Sequence, residues 1–525
     1  MPPSPPTFDR LAGALLLTAV AATATLYLHG AGAFWLGDDF ANLHRAHADA
    51  LAGTTGKTLV AMLVGSTSEG ASFWRPGIVA SFAADHALWG PDPRGAFAQN
   101  LVLHLAAGVL IAALARRHAP PGPAGDRAAA AAAGLFLLMP WGAEAVYWVS
   151  ARSDLWVTFA GLLGLLALGR GGRTASLGLP GATLMGLAFK ESAALLPAVA
   201  VLVLLATPAH AAPDRRGAVL GIVAAAALVL AYFVGKAMLF GDPLRSYGGA
   251  RFDPLAALSG WLASIPAWAR SGWDGATGAA FVAFAATLLL PTLALFDRDA
   301  RRCAGVAWLA VGGTLLATSL QTGPWPLNGE GGRLLHTAQA WWALGAAAAL
   351  ALPSVRGGVA AAMAAVLAMA SSTLLVDRLG TVHLTQRLLA DSAGWVARRP
   401  ADAPPMLLVL PDHVGPVVAL RNGQGGLVLP PIQRRDRLGD MLPSLPGDLE
   451  HRHGLLRGGF FATRHGPDAA PVMGCWSWTQ DGIVMVPTLS PAAIDNAAQW
   501  ATAVRRALAA ADCAGITAAP TGTRR

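Results

Sequence analysis

Asp38 and Asp39 stand side by side in Phe34-Trp35-Leu36-Gly37-Asp38-Asp39-Phe40, just past the first of many apolar segments. Neighbouring carboxylates raise one another's pKa and hold a proton ready to move. Arg152, Asp154, Lys190 and Glu191 fall at the ends of later apolar segments. Residues of these types suit acid/base and phosphate chemistry at a membrane surface. A carboxylate can take the proton from an attacking hydroxyl, while Arg and Lys hold a phosphate and stabilise the charge on a leaving group. The bland alternative for the acidic pair is a solvated loop. For Arg152 and Lys190 it is snorkelling to head groups or a salt bridge with a near neighbour.

The elements that must position these groups are membrane helices. With 54% hydrophobic and 13% charged residues and a mean hydropathy of +0.49, the chain is more apolar than a soluble core of 525 residues needs. Apolar runs at 11–29, 97–115, 128–147, 154–169, 174–189, 191–206, 217–239, 276–296, 303–320, 334–352 and 357–376 predict eleven transmembrane helices. The first run is expected to be a retained span, not a cleaved signal.

Basic residues in short loops stay on the cytoplasmic side. Starting with the N-terminus inside, the cytoplasmic loops carry Arg116, Arg117, Arg127, Arg170, Arg173, Arg215, Arg216, Arg298, Arg301, Arg302 and Arg356. Arg152, Lys190, Arg245, Arg251 and Arg333 fall in the opposite loops, against the topology signal. Topology and anionic head groups account for most of the net charge of +8, so nucleic-acid binding is not expected.

On this reading Asp38 and Asp39, Trp148, Arg152 and Asp154, Lys190 and Glu191, and Glu330, Arg333 and His336 form four clusters on the outer face. Ionisable groups at such depth point to a site with partners. Arg152 and Lys190 are the first candidates for a donor phosphate, with Arg333 and His336 behind them. Arg75 before Pro76, Glu144, Trp148, Arg245 and Tyr247 are supporting candidates, Glu144 chiefly as an arginine's partner. Asn100 and His104, one helical turn apart, are expected to bond across helices. A long first outer loop (30–96) carries an amphipathic stretch from Pro76 to Trp89, and a second covers 240–275. After a linker at 377–399, residues 400–525 read as a small α+β domain. Its expected strands are Met406-Leu407-Leu408-Val409-Leu410 and Gly426-Leu427-Val428-Leu429, and its expected helix is Ala492 to Ala511. Cys475 and Cys513 could pair there.

The chain resembles the GT-C-fold glycosyltransferases, nearest to the membrane half of the TMTC protein O-mannosyltransferases and their bacterial relatives. The ordered set that carries the resemblance is Asp38-Asp39, Phe73-Trp74-Arg75-Pro76, Asn100-Leu101-Val102-Leu103-His104-Leu105, Pro140-Trp141-Gly142-Ala143-Glu144-Ala145-Val146, Trp148-Val149-Ser150-Ala151-Arg152-Ser153-Asp154-Leu155 and Phe189-Lys190-Glu191. It covers roughly residues 10 to 376. It implies an all-α polytopic membrane enzyme in the bacterial inner membrane, with its site and C-terminal domain on the periplasmic side. It further implies a polyprenyl-phosphate sugar donor, a glycan, lipid or protein acceptor, inversion at the anomeric carbon, and Asp38 or Asp39 as base. The other Asp would orient the acceptor or a divalent metal, for which Asp39 is the candidate ligand. Where relatives read His-Pro-x-His, this chain has Met139-Pro140-Trp141-Gly142, so two histidine ligands are missing. A lipid-linked oligosaccharide polymerase or ligase, and a polytopic transporter or flippase, are the alternatives.

Overall fold

The computed structural model describes residues 9–65, 73–207, 213–241, 255, 258–264, 278–322, 331–400, 402–421, 423–458, 460–466, 471–487 and 489–517. Arg245, Tyr247, Arg251 and Glu330 lie outside them. The membrane half runs through α1 (Arg10–Gly30), α2 (Asp39–Leu51), α3 (Thr55–Ala61), α4 (Pro76–Trp89), α5 (Pro93–His118), α6 (Pro123–Leu138), α7 (Ala143–Tyr147), α8 (Arg152–Arg170), α9 (Gly172–Phe189), α10 (Leu196–Ala206) and α11 (Arg215–Phe240). Helices Gly278–Leu293, Arg301–Thr322, His336–Leu350 and Ser354–Arg398 follow.

Local chemistry sets many of these boundaries. Asp9, Asp92 and Asp214 cap α1, α5 and α11 through side-chain bonds to the backbone N–H groups of Ala12, Arg94 and Gly217. Proline opens α4, α5 and α6 in their first turn, where its missing N–H has no intrahelical partner to lose. Pro140 stops the helix that α6 would otherwise continue, and the chain bends by 41° before α7. The freed backbone groups are satisfied from distant elements: Gly142 N–H donates to Gln339 at 2.9 Å, and Arg378 donates to the Pro140 carbonyl at 2.7 Å.

All eleven apolar segments are largely helical over their described residues. Among the described residues five helices are long and apolar enough to cross a membrane: Arg10–Gly30, Pro93–His118, Val149–Arg170, Arg215–Phe240 and Val355–Arg398. The bent pair Pro123–Leu138 and Pro140–Tyr147 makes a sixth as a broken span. Helices such as Phe281–Phe296 are shorter, about 24 Å at 1.5 Å per residue, against a hydrocarbon core of about 30 Å. Side chains such as Leu17, Leu177, Leu220, Leu230 and Met238 face outward and apolar, as a lipid-exposed wall requires. Inside, small residues let backbones approach, as where Gly221 of α11 meets the Ala175 carbonyl of α9.

The two ends of the bundle differ in charge chemistry. At one end Arg116 pairs with Asp126 at 2.8 Å, Arg127 pairs with Asp9 at 3.0 Å, and Gly171 abuts Asp214. The other end gathers the first outer loop, the α7–α8 turn and the α9–α10 turn.

The helix Ser354–Arg398 is 45 residues long, roughly 67 Å, about twice the hydrocarbon thickness. It passes the end of α1 where Gly30 packs on Leu379, then continues as helix through the segment expected to be a linker. Beyond it β1 (Met406–Val409), β2 (His413–Val414), β3 (Val417–Val418), β4 (Met441–Ser444), β5 (Val472–Ser477) and β6 (Gly482–Val486) form two sheets. The larger has the order β4-β1-β5-β6, with β1 parallel to β4 and β5, and β6 antiparallel to β5. β2 and β3 form an antiparallel pair. Alternation along β1 sends Leu407 and Val409 into a core with Trp500 and Val504 of the helix Ala497–Ala510. Met406 and Leu408 point the other way, into a core shared with the first outer loop.

Two local expectations are corrected. Gly426 to Leu429 is not a strand: Gln424–Val428 forms a 3-10 turn, its glycines being poor strand formers. The last helix begins at Ala497, where Asn496 caps the Gln499 N–H at 3.0 Å; Pro491–Ala493 makes a separate turn. Cys475 and Cys513 form a disulfide that fastens the chain after that helix to β5.

Candidate functional site

The acidic pair lies at the start of α2, and the two carboxylates have different surroundings. Asp39 is buried, and each of its oxygens accepts a backbone N–H: Leu36 at 3.1 Å and Ser150 at 2.6 Å. Burial pushes its carboxyl up to about 7, against the lowering effect of these bonds. Asp38 is half-buried at the N-cap. The Trp148 indole donates to the Leu36 carbonyl at 2.9 Å, and Asn42 donates to the Ser150 hydroxyl at 3.1 Å. The first outer loop is thus tied to the turn before α8 at three points. That turn is itself held by Asn100, whose amide nitrogen donates to the carbonyls of Ala145, Val146 and Trp148 at 3.3 Å.

Four cations at this end of the bundle each have a carboxylate partner. Lys190 bridges both oxygens of Asp154 at 2.7 and 2.9 Å. Arg75 makes a fork with Glu191 at 2.7 and 2.9 Å. Arg333 donates to Glu144 at 2.7 Å through its guanidinium and at 3.0 Å through its backbone N–H, and lies 4.5 Å over the Trp148 ring. Arg152 meets Asp85 at 2.6 Å and spends Nε and Nη2 on the carbonyls of Val149 and Ala96. Asp85 sits on α4, where burial raises its carboxyl against the pull of Arg152.

The structure therefore brings Asp38, Asp39, Trp148, Arg152, Glu144 and Arg333 together, with Asp154, Lys190, Glu191 and Arg75 on the neighbouring turns. It sorts the expected phosphate ligands by access. Side-chain exposure is 20% for Arg333 and 14% for Arg75, but 6% for Lys190 and 1% for Arg152. Arg152 and Lys190, the first candidates, are thus less exposed than Arg333, while Arg75 was expected only in a supporting role. With three groups of its donor fork on Asp85, Val149 and Ala96, Arg152 braces α4 against α8.

His336 lies in the interior. It is fully buried, with Nε2 3.0 Å from His104 and Nδ1 2.9 Å from the Thr158 hydroxyl, so both ring nitrogens are engaged in the interior. Asn100 and His104 do bond across helices.

Sequence reading missed Asp85, Ser150, Arg378 and Lys236. Asp85 and Lys236 carried a signal, a lone charge in an apolar stretch, and Lys236 is buried close enough to Glu191 to act on its charge. Ser150, which holds Asp39 through its backbone N–H and accepts Asn42 on its hydroxyl, left no signal.

Among the described residues no group of three or more His, Cys, Asp or Glu is placed to hold a metal ion. Both oxygens of Asp39, the candidate ligand, accept N–H bonds. Among the described residues Asp39 thus has no set of companion ligands for a divalent ion.

No known family profile matches the chain, and neither does any curated protein. Among solved structures it is similar to the mycobacterial arabinofuranosyltransferase AftD, at 18% identity and a TM-score of 0.46, over 86% of this chain and 33% of that one. It is also similar to ArnT from Cupriavidus metallidurans in the apo state, at 13% identity and a TM-score of 0.45, over 86% of this chain and 92% of that one. The chain spans about a third of the length of AftD. At these values neither likeness decides the activity of this protein.

Proposed function

We propose that the chain is an integral-membrane glycosyltransferase of GT-C type that passes a sugar from a polyprenyl phosphate to a hydroxyl of a cell-envelope glycan, lipid or protein. All eleven apolar helices would lie in the membrane, with the acidic pair and the C-terminal domain on the periplasmic side. The observation that carries this reading is the Asp39 bridge between Leu36 and Ser150, which seats an acidic pair against the turn that leads to Arg152 and carries Trp148 under Arg333.

Asp38, the more accessible of the two, is the base, and Asp39 is the brace that aims it. As the acceptor oxygen attacks the anomeric carbon, Asp38 takes the hydroxyl proton. The bond from that carbon to the phosphate oxygen breaks, and its electron pair leaves with the lipid phosphate. One displacement inverts the anomeric centre. Arg333 and Arg75, the better-exposed cations, meet the phosphate first. Lys190 joins by exchanging Asp154 for phosphate, an exchange between anions that keeps the buried ammonium paired. The charged groups of the site gather at one end of the bundle, whereas a transporter places such groups near the bilayer midplane.

The test supplies radiolabelled polyprenyl-phosphate hexoses and pentoses to the purified protein in lipid. Transfer or donor hydrolysis should be lost in Asp38→Asn and weakened in Asp39→Asn and Lys190→Ala. Unchanged turnover in all three variants refutes the assignment.

A further inference from the structure

The outer domain touches the first outer loop at the peptide that carries the acidic pair. The Gly37 N–H donates to the Ala419 carbonyl at 2.7 Å, and the Ala419 N–H in turn donates to the Asp412 carbonyl at 2.8 Å. Gly37 has a φ of +50°, and a side chain added there would stand 2.9 Å from the Trp148 ring and 3.0 Å from Val418. The glycine is thus packed against by both a tryptophan of the membrane half and a valine of the outer domain. Gly423 packs so closely that a Cβ on it would overlap the Gly37 carbonyl oxygen and lie 3.5 Å from the Asp38 nitrogen. Its φ of −115° is ordinary, so the glycine is required by space and not by backbone conformation. One turn further along α2, His44 Nδ1 lies 2.6 Å from the Pro430 carbonyl. Trp35, Leu36 and Phe40 share one core with Val418, Leu420 and Leu427.

We propose that the outer-domain residues Asp412 to Arg421 together with Gly423 form a wall of the reaction site, in which Ala419 and Gly423 are positioning residues that fix the Gly37-Asp38 peptide. The domain is then part of the transferase and not a separate module. An apolar docking patch alone needs no contact with the Asp38 peptide. Here Trp148 and Val418 both crowd the Gly37 Cα, and Ala419 holds its hydrogen-bonding edge. Displacing the segment moves Asp38 directly, and a misplacement of about 1 Å costs on the order of 100-fold in rate. This inference rests on the transferase reading only for its kinetic consequence; the clamp itself is a property of the fold.

The experiment compares full-length wild type, Gly423→Val, Val418→Ala and Gly425→Ala in lipid nanodiscs. Gly425 has open space around its Cα and is the control. Hydrogen exchange is followed by mass spectrometry in peptides covering 34–43 and 146–151, with 406–409 and 472–477 reporting whether the outer sheet is folded. Gly423→Val should accelerate exchange in the first two peptides while the sheet stays protected, Val418→Ala should do so more weakly, and Gly425→Ala should change nothing. If Gly423→Val unfolds the sheet, Val418→Ala decides alone. Unchanged exchange at 34–43 in the deciding variant overturns the clamp.

With any polyprenyl-phosphate hexose or pentose that wild type turns over, Gly423→Val should lower kcat on the order of 100-fold and leave the donor KM within about twofold. Faster exchange with unchanged kcat overturns the positioning role. A wild type inactive on every donor refutes the transferase reading, and the exchange result still judges the clamp.

Discussion

Two adjacent aspartates in one loop have different surroundings because one points into the protein. Asp39 has its oxygens on two N–H donors from different segments, and Asp38 begins a helix at the edge of the junction. Asp38→Asn removes the proposed base and should lower transfer about 100- to 10,000-fold with Tm unchanged, as measured by single-turnover transfer and thermal unfolding in detergent. Asp39 carries a pH signature. Burial lifts its carboxyl from 3.8 to about 7, so the folded chain binds a proton that the unfolded chain has released between those values. The corresponding stability is full below the lower value and lost as pH rises through the upper one. Wild type should therefore lose Tm more steeply than Asp39→Asn between about pH 5 and 8; parallel profiles would contradict this. The sequence marks the pair as unusual, but a dipeptide cannot say which member is buried. That follows from Ser150, more than a hundred residues away.

At the scale of elements, the helices were legible because hydropathy, caps and prolines agree. Pro76 and Trp89 bound a helix as read, though its apolar and polar residues are not segregated into two faces, and each apolar segment is largely helical over its described residues. What the helices hold at their ends was less legible. Arg152 was expected beside Asp154 or a phosphate, yet it crosses to Asp85 on α4, while Asp154 takes Lys190. Pairing at helix ends depends on which helices are neighbours, and local periodicity is silent on that. Removing one charge of a buried pair leaves the other uncompensated. Asp85→Asn should cost about 3–5 kcal/mol and loosen α4, and Asp85→Leu with Arg152→Leu should recover most of the loss. Chemical denaturation in mixed micelles reads both; equal destabilisation by the single and double variants would count against the pair.

For the whole molecule, the charge asymmetry makes a topological prediction. Exposed Lys57 in the first outer loop and Arg435 in the outer domain lie at the end carrying the acidic pair, whereas exposed Arg173 lies at the end crowded with arginines. In a Cys303→Ser background, Lys57→Cys and Arg435→Cys should label in intact cells with a membrane-impermeant maleimide, and Arg173→Cys only after permeabilisation. Labelling of Arg173→Cys from outside would invert the arrangement. The disulfide makes a second prediction. Cys475→Ser with Cys513→Ser should lower the stability of the outer domain by about 2–4 kcal/mol, measured by exchange of its sheet, with α5 and α8 protected as before.

Sequence by itself determined that this is a membrane chain, where its helices run, which end is basic, and that acids and cations recur at the ends of its apolar segments. These are properties of composition and local periodicity, set by transfer from water to lipid and by the hydrogen-bonding needs of short stretches. Only the tertiary structure decided which carboxylate is buried, which cation belongs to which acid, that His336 faces His104, and that the last hundred residues return to the loop at residue 37. Those choices are contacts between segments far apart in the chain, and their energies depend on burial that exists only after the whole molecule has packed.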